Sequence, residues 1–319
     1  MTFIQRRPRF RRPSARFIPI LMLAVAAGCG GDPGNDGEAT QGGEIGPTNA
    51  IVTVAGVGFA TPESVLHDPE ADVYLVSNIN GAPVDKDDNG FISRLSPDGM
   101  VLELRWIDGA ADGVTLNAPK GMALQGSTLY VADIDCIRTF DRISGSPMGE
   151  ACPSGATFLN DVAPAPDGVS LFFTDSGLDA SFGPSGTDAV YRLSGGSRIT
   201  VISRSPSLGA PNGVSVGTRG ILVAAFGSGE VYALDADGNR TDIMPASQRQ
   251  FDGIEAMPDG GFVVSSWGDQ AVLRVAGDGT VSRVVEGVDA PADIGLDRTR
   301  NRLLVPLFNA NEVRIVPLG

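Results

Sequence analysis

The sequence predicts an all-β fold: a six-bladed β-propeller of four-stranded antiparallel blades, closed by an N-terminal strand in the last blade. Three observations carry this expectation. First, a short phrase recurs six times: Pro62-Glu63-Ser64-Val65, Pro119-Lys120-Gly121-Met122, Leu159-Asn160-Asp161-Val162, Pro211-Asn212-Gly213-Val214, Phe251-Asp252-Gly253-Ile254 and Pro291-Ala292-Asp293-Ile294. Second, residues 50–319 provide 45 residues per phrase, and a period of about 40–50 residues with four short strands marks a propeller blade. Third, the runs between phrases are short, rich in Val, Ile, Leu and aromatics, and cut by Asp-Gly turns, as in an antiparallel meander.

Blade four shows the unit. Gly213–Val216 reads as an inner strand, Ile221–Phe226 as the second, Glu230–Leu234 as the third and Arg240–Met244 as the outer strand, with turns at Thr218-Arg219-Gly220 and Asp235-Ala236-Asp237-Gly238. Blade six runs out at its third strand, Glu312–Val316, while Ala50–Val54 is an orphan at the other end of the domain. Pairing the orphan into blade six would close the ring and hide its last open edge.

Residues 1–28 read as a lipoprotein-type signal peptide. Residues 1–16 hold six Arg and no acid, Phe17–Ala27 is apolar, and Ala26-Ala27-Gly28-Cys29 follows. Basic, apolar and small-residue segments in that order make a secretory signal, and eleven apolar residues are too few for a retained span. The ending resembles the lipobox of bacterial lipoproteins, in which the Cys is lipidated and begins the mature chain. An ordinary signal with Cys29 incidental is the alternative. Residues 29–49 carry seven Gly among polar residues, too little apolar surface to order themselves, and read as a flexible tether. The expected location is the cell envelope, lipid-anchored and facing the periplasm or exterior, with the export route open.

The chain carries a formal charge of −14, and without the six signal arginines −20. That excludes nucleic acid, whose phosphates need Lys and Arg, and leaves the lipid anchor as the membrane contact. A monomer acting on a small molecule is expected. Beyond Cys29, only Cys136 and Cys152 remain. They flank the third and fourth strands of blade two, and export permits a structural disulfide between them.

Two loops on the face where inner strands begin are long, Asn78–Gly90 and Ser176–Asp188. They are lids or specificity elements, or else tolerated insertions. The first contains Asp85-Lys86-Asp87-Asp88-Asn89-Gly90, which mimics the start of a calcium loop but lacks its closing Glu; an acidic turn is the plainer reading. The second strands end on the same face with Asn78, Asp133 and Asp175 in blades one to three, then Phe226, Trp267 and Phe308 in blades four to six. They suggest a substrate pocket with a polar and an aromatic half; blade-to-blade packing is the competing role for the aromatics.

Taken together, residues 50–319 resemble the senescence-marker-protein/gluconolactonase/luciferin-regenerating-enzyme-like propellers, which are related to diisopropylfluorophosphatase and paraoxonase. The resemblance implies a divalent cation, calcium or a similar ion, in the central tunnel. By position in the phrases its ligands would be Glu63, Asn160, Asn212 and Asp252. The second position of the phrase varies most in chemistry, as expected if one residue per blade faces a shared site. Two carboxylates and two amides give oxygen ligands only, which suits a hard cation and leaves room for water and substrate. Two departures stand out. Lys120 occupies the blade-two slot and offers a metal-free counter-ion to Glu63 and Asp252, or a substrate contact with its stem bent to solvent. The lone His67 cannot supply a paraoxonase-like His pair.

The resemblance implies a calcium-dependent lactonase or esterase-type hydrolase in which the metal polarises the carbonyl and Asp252 acts as base or nucleophile. A serine triad is rejected for want of a partner His, the lone His67 being placed too deep for substrate. The alternative is a non-catalytic propeller that binds a ligand or protein at the envelope. A lyase similar to the streptogramin-lyase propellers is a third reading, disfavoured by the shortage of His.

Overall fold

A computed structural model describes residues 50–319. The signal peptide, the tether and Cys29 lie outside the described residues. Six four-stranded antiparallel sheets form a six-bladed propeller. In blade one the strands are Pro62–Asp68, Val73–Asn78, Phe91–Leu95 and Val101–Asp108, and blades two to five repeat the order inner, second, third, outer. Blade six is assembled from both ends of the domain. Gly295–Asp297, Arg302–Leu307 and Glu312–Pro317 supply three strands, and Val52–Val54 pairs antiparallel with Glu312–Pro317 as the fourth.

Burial follows position in the blade. The second strands are buried along nearly their whole length, as in Val73–Asn78 and Ser170–Asp175, whereas the outer strand Val101–Asp108 is mostly exposed or half-buried and Pro147–Ala151 largely exposed. This explains why the second strands read as continuous apolar runs: a strand covered on both faces gains by burying every side chain. The core lies between blades. Tyr130, Ala132 and Ile137 of blade two join Leu171, Phe173 and Tyr191 of blade three in one cluster, within which Phe173 and Tyr191 stack with ring centres 4.9 Å apart.

The recurring phrase is a β-bulge. In blades one to five the register between inner and second strands shifts there, between Pro62 and Ser64, Pro119 and Met122, Leu159 and Val162, Pro211 and Val214, and Phe251 and Ile254. A bulge takes one residue out of the ladder and re-aims its side chain. At the third position of the phrase neighbouring inner strands approach closely. A Cβ on Gly121 would sit 2.6 Å from Asp161 Cα, and one on Gly253 would sit 2.6 Å from Asp293 Cα. Ring closure repeats this contact between blades six and one, with Asp293 N–H donating to Glu63 O at 2.8 Å and Ser64 Oγ donating to Asp293 Oδ2 at 2.6 Å.

Cys136 and Cys152 form a disulfide that ties the third strand of blade two to the end of its fourth.

Candidate functional site

The inner strands begin around a cavity of about 380 Å³. Its floor is the second position of five phrases: Glu63, Lys120, Asn160, Asn212 and Asp252 all line it, and each is at least nine-tenths buried. Ala292, the blade-six residue, is fully buried and is not part of the lining.

Four of these side chains share a feature. Glu63 Oε2, Asn160 Oδ1, Asn212 Oδ1 and Asp252 Oδ1 are buried and accept no hydrogen bond. An unpaired buried acceptor is costly, and native proteins rarely keep one without a partner. Four in one cavity, all oxygens, call for one electron-poor partner. The orientation of Asn160 is fixed from behind. Ser176 Oγ donates to Pro211 O at 2.8 Å, so its free lone pair accepts from Asn160 Nδ2 at 3.0 Å, and Oδ1 is left unengaged.

Electrostatics lead to the same conclusion. Burial, reinforced by Asp252, pushes Glu63 well above the ordinary carboxylate range, although Lys120 opposes the shift. Burial and then Asp161 push Asp252 up to about 8, while the Trp267 indole lies near enough to favour its charged form. That indole N–H makes no hydrogen bond of its own. Both shifts favour the neutral carboxyls; a divalent cation among the ring oxygens would favour the charged forms.

Lys120 makes no salt bridge with the ring acids, although its charge acts on Glu63. Its ammonium donates to Pro83 O at 3.1 Å and Ala118 O at 3.0 Å, and stands 4.5 Å from the centre of the Phe158 ring. It forms no ion pair with a carboxylate among the described residues, and desolvation lowers its pKa. The resulting site offers oxygen ligands of both charge types, a cation held to one side, and a void above them.

The walls of that void are apolar. Phe226, Trp267 and Phe308 line it, and they touch in series, with ring centres 5.3 Å apart in both pairs. The expected polar half is absent. Asn78, Asp133 and Asp175 are fully buried and lie outside the lining. Their oxygens are engaged by backbone N–H groups of the segments that lead into the inner strands. Asn78 accepts from Ala60 N–H; Asp133 accepts from the N–H groups of Asn117 and Ala118 and from Arg138; Asp175 accepts from those of Thr157, Phe158 and Gly177. A buried chain entering a strand has unpaired N–H groups, and these three side chains satisfy them. They are structural clamps, not pocket residues.

Phe158 and Phe182 take the vacated wall, with ring centres 6.3 Å apart. Both long loops contribute to it: Ile79 and Pro83 come from the first, Leu178 and Phe182 from the second. Only the loop length signalled these residues in the sequence. The acidic turn of the first loop pairs locally, with Asn89 Nδ2 donating to Asp87 at 2.6 Å and Lys86 bonding Asp135 at 2.5 Å.

A second cavity, of about 450 Å³, opens further along the inner strands. Ser64, Asp161, Glu255 and Asp293 line it together with His67. Asp161 Oδ2 accepts from Val214 N–H at 2.7 Å across the blade boundary. Desolvation pushes Asp161 and Glu255 up to about 7 and, with the charges of Asp161 and Glu63, Asp293 well above its usual range. The acids at 161 and 293 escaped the sequence reading, which took the third phrase position as scaffold; the available signal was Asp where three other blades have Gly and one has Ser. His67 lies between Asp297, at 3.5 Å, and Asp72, at 3.7 Å, remote from the ring.

No family model matches the chain, and neither does any curated protein sequence. Solved structures do. A gluconolactonase from Xanthomonas campestris is similar at TM-score 0.65 and 19% identity, over 84% of this chain and 89% of that one. A streptogramin B lyase is similar at TM-score 0.60 and 12% identity, over 85% and 98%. A catalytically inactive virginiamycin B lyase from Staphylococcus aureus, solved with quinupristin, is similar at TM-score 0.57 and 12% identity, over 85% and 100%. At these identities the likeness establishes the propeller fold.

Proposed function

We propose that the protein is a hydrolase of a lactone or related ester that uses a divalent cation, calcium or a similar ion, at the floor of the upper cavity. Glu63, Asn160, Asn212 and Asp252 would hold the ion. The observation that carries this reading is their four unpaired buried oxygens in one cavity, a donor set suited to a hard cation. A cation so held supplies Lewis-acid polarisation of a carbonyl and charge stabilisation for the oxyanion.

The chain's own residues supply the rest. Asp252, at the cavity floor with its Oδ1 unpaired, accepts the proton of the attacking water and returns it to the leaving alkoxide oxygen. Ser176 locks Asn160. Lys120, fixed by two carbonyls and Phe158, places positive charge beside the floor. The aromatic wall and the two loops keep bulk water from the reacting carbonyl. The gluconolactonase neighbour supports hydrolysis of a lactone. The lyase neighbours support it less: the inactive one replaces a histidine with alanine, and the only histidine here, His67, lines the other cavity.

The basic and apolar N-terminal segments and Cys29 support an exported, lipid-anchored protein at the cell envelope. The function is tested by elemental analysis of the purified protein, followed by lactone and aryl-ester hydrolysis with and without chelator. Stoichiometric calcium and chelator-sensitive turnover are expected. A metal-loaded protein inert towards every lactone and ester would leave ligand binding as the function.

A further inference from the structure

We propose that the substrate carries a bulky apolar body rather than a polyhydroxylated ring, with its ester group directed at the floor and the body against the wall of Phe158, Phe182, Phe226, Trp267 and Phe308. This rests on the hydrolase reading above and deepens it. All five aromatics line the upper cavity. They form two groups: Phe226, Trp267 and Phe308 in edge-on and tilted contact, and Phe158 with Phe182.

Apart from the floor oxygens assigned to the metal and the Thr61 hydroxyl, the polar groups that a sugar ring would need are already engaged or buried. The Ser176 hydroxyl is taken by Pro211 O and Asn160, and the Lys120 ammonium by Pro83 O and Ala118 O. Asn78, Asp133 and Asp175 are fully buried outside the lining. A hydroxyl placed against this wall would lose its water without gaining a partner, at a cost of about tenfold or more in affinity. An added methylene gains about fourfold. The Trp267 indole N–H is a buried donor without a partner. In an otherwise apolar wall it suits an ester oxygen. At the rim Phe182 is 52% exposed and held at a φ of +58°. A non-glycine residue rarely adopts that conformation; here it keeps an apolar ring at the mouth, where a long chain would continue.

The test uses the calcium-loaded protein in a Trp106→Phe background, so that Trp267 is the sole tryptophan. Hydrolysis is measured for δ-lactones with alkyl chains of increasing length and for glucono-δ-lactone. Binding of the matching alkyl δ-lactams, which resist hydrolysis, is followed by Trp267 emission. The expected result is a rise in kcat/KM of about fourfold per methylene over the first few carbons. The lactam Kd should fall in parallel, and the glucono-lactone should be the poorest substrate. Phe182→Ser should flatten the dependence for the longest chains. Preference for glucono-δ-lactone, or no dependence on chain length, overturns the apolar-body inference while leaving the hydrolase reading intact. Chain-length-dependent lactam binding without turnover of any lactone upholds the apolar body and removes the hydrolase. Neither binding nor turnover overturns both.

Discussion

The Lys120 ammonium stands 4.5 Å from the centre of the Phe158 ring, and both of its hydrogen bonds go to backbone carbonyls. Among the described residues this cation forms no salt bridge with the ring, and Glu63 Oε2 and Asp252 Oδ1 stay unpaired. Lys120→Met should then maintain or tighten calcium binding, because a repelling charge is removed. Its cost to stability should be about 1–3 kcal/mol, the loss of two buried hydrogen bonds and a cation–π contact. Calorimetric titration with calcium and urea unfolding check this. A collapse of calcium affinity would make Lys120 part of the ion's support.

Asp252→Asn should keep the fold, since the removed oxygen charge is paired with no backbone N–H. Turnover should fall by roughly 10²–10⁴, the usual share of a general base. Glu63→Gln should instead weaken metal binding more than turnover at saturating calcium. Steady-state kinetics across a calcium series separates the two. Equal behaviour of the variants would dissolve the assigned division of roles.

Stability of the metal-free protein should fall as pH rises from about 5 to 8. Asp252 is raised from 3.8 to about 8, Asp161 from 3.8 to about 7 and Glu255 from 4.5 to about 7. Between those limits the folded state binds more protons than the unfolded one, so unfolding free energy decreases with pH. The lowered acids Asp68 and Asp72 act below this window. Calcium, which replaces the protons, should stabilise most at pH 8. Urea midpoints at pH 5, 6, 7 and 8, with chelator or calcium, read the effect. Asp252→Asn should flatten the chelated curve; a metal-free protein that gains stability towards pH 8 would contradict the buried-acid account.

Removal of residues 1–49 should leave a folded, soluble domain, whereas removal of 1–58 should not. The longer cut removes Val52–Val54, paired with Val313–Ile315, and bares the edge of Glu312–Pro317. It also deletes the buried side chain of Val54, worth about 1.5–3 kcal/mol, in addition to the strand pairing. Denaturant midpoints and light scattering compare the two. Equal midpoints would show that the closing strand is dispensable.

Cys29→Ser should move the protein from the detergent-extracted membrane fraction to the soluble exported one. Unchanged fractionation would remove the lipid anchor.

Much of this protein was legible in its sequence because a propeller repeats. The 45-residue period, the apolar second strands and the orphan at Ala50–Val54 follow from local rules that act alike in every blade. The same logic marked Glu63, Asn160, Asn212 and Asp252, since symmetry alone sends the second position of each phrase towards the axis. What symmetry does not reach was decided by tertiary contacts. Asn78, Asp133 and Asp175 pair across from the first position of the phrase, as Ala225, Ser266 and Leu307 do, one residue before the wall aromatics; strand alternation turns them away from the cavity, where their oxygens accept from N–H groups entering the inner strand of the same blade. Phe158 and Phe182 fill the wall they leave, one from a strand entry and one from an inserted loop outside the repeat. The side chain of Asp161 crosses to Val214 N–H in the next blade. That contact exists only once two inner strands, separated by some fifty residues in the chain, lie side by side. A sequence pattern specifies which way a strand faces; the partner that satisfies a buried polar atom is chosen by whichever neighbour the closed ring brings within reach.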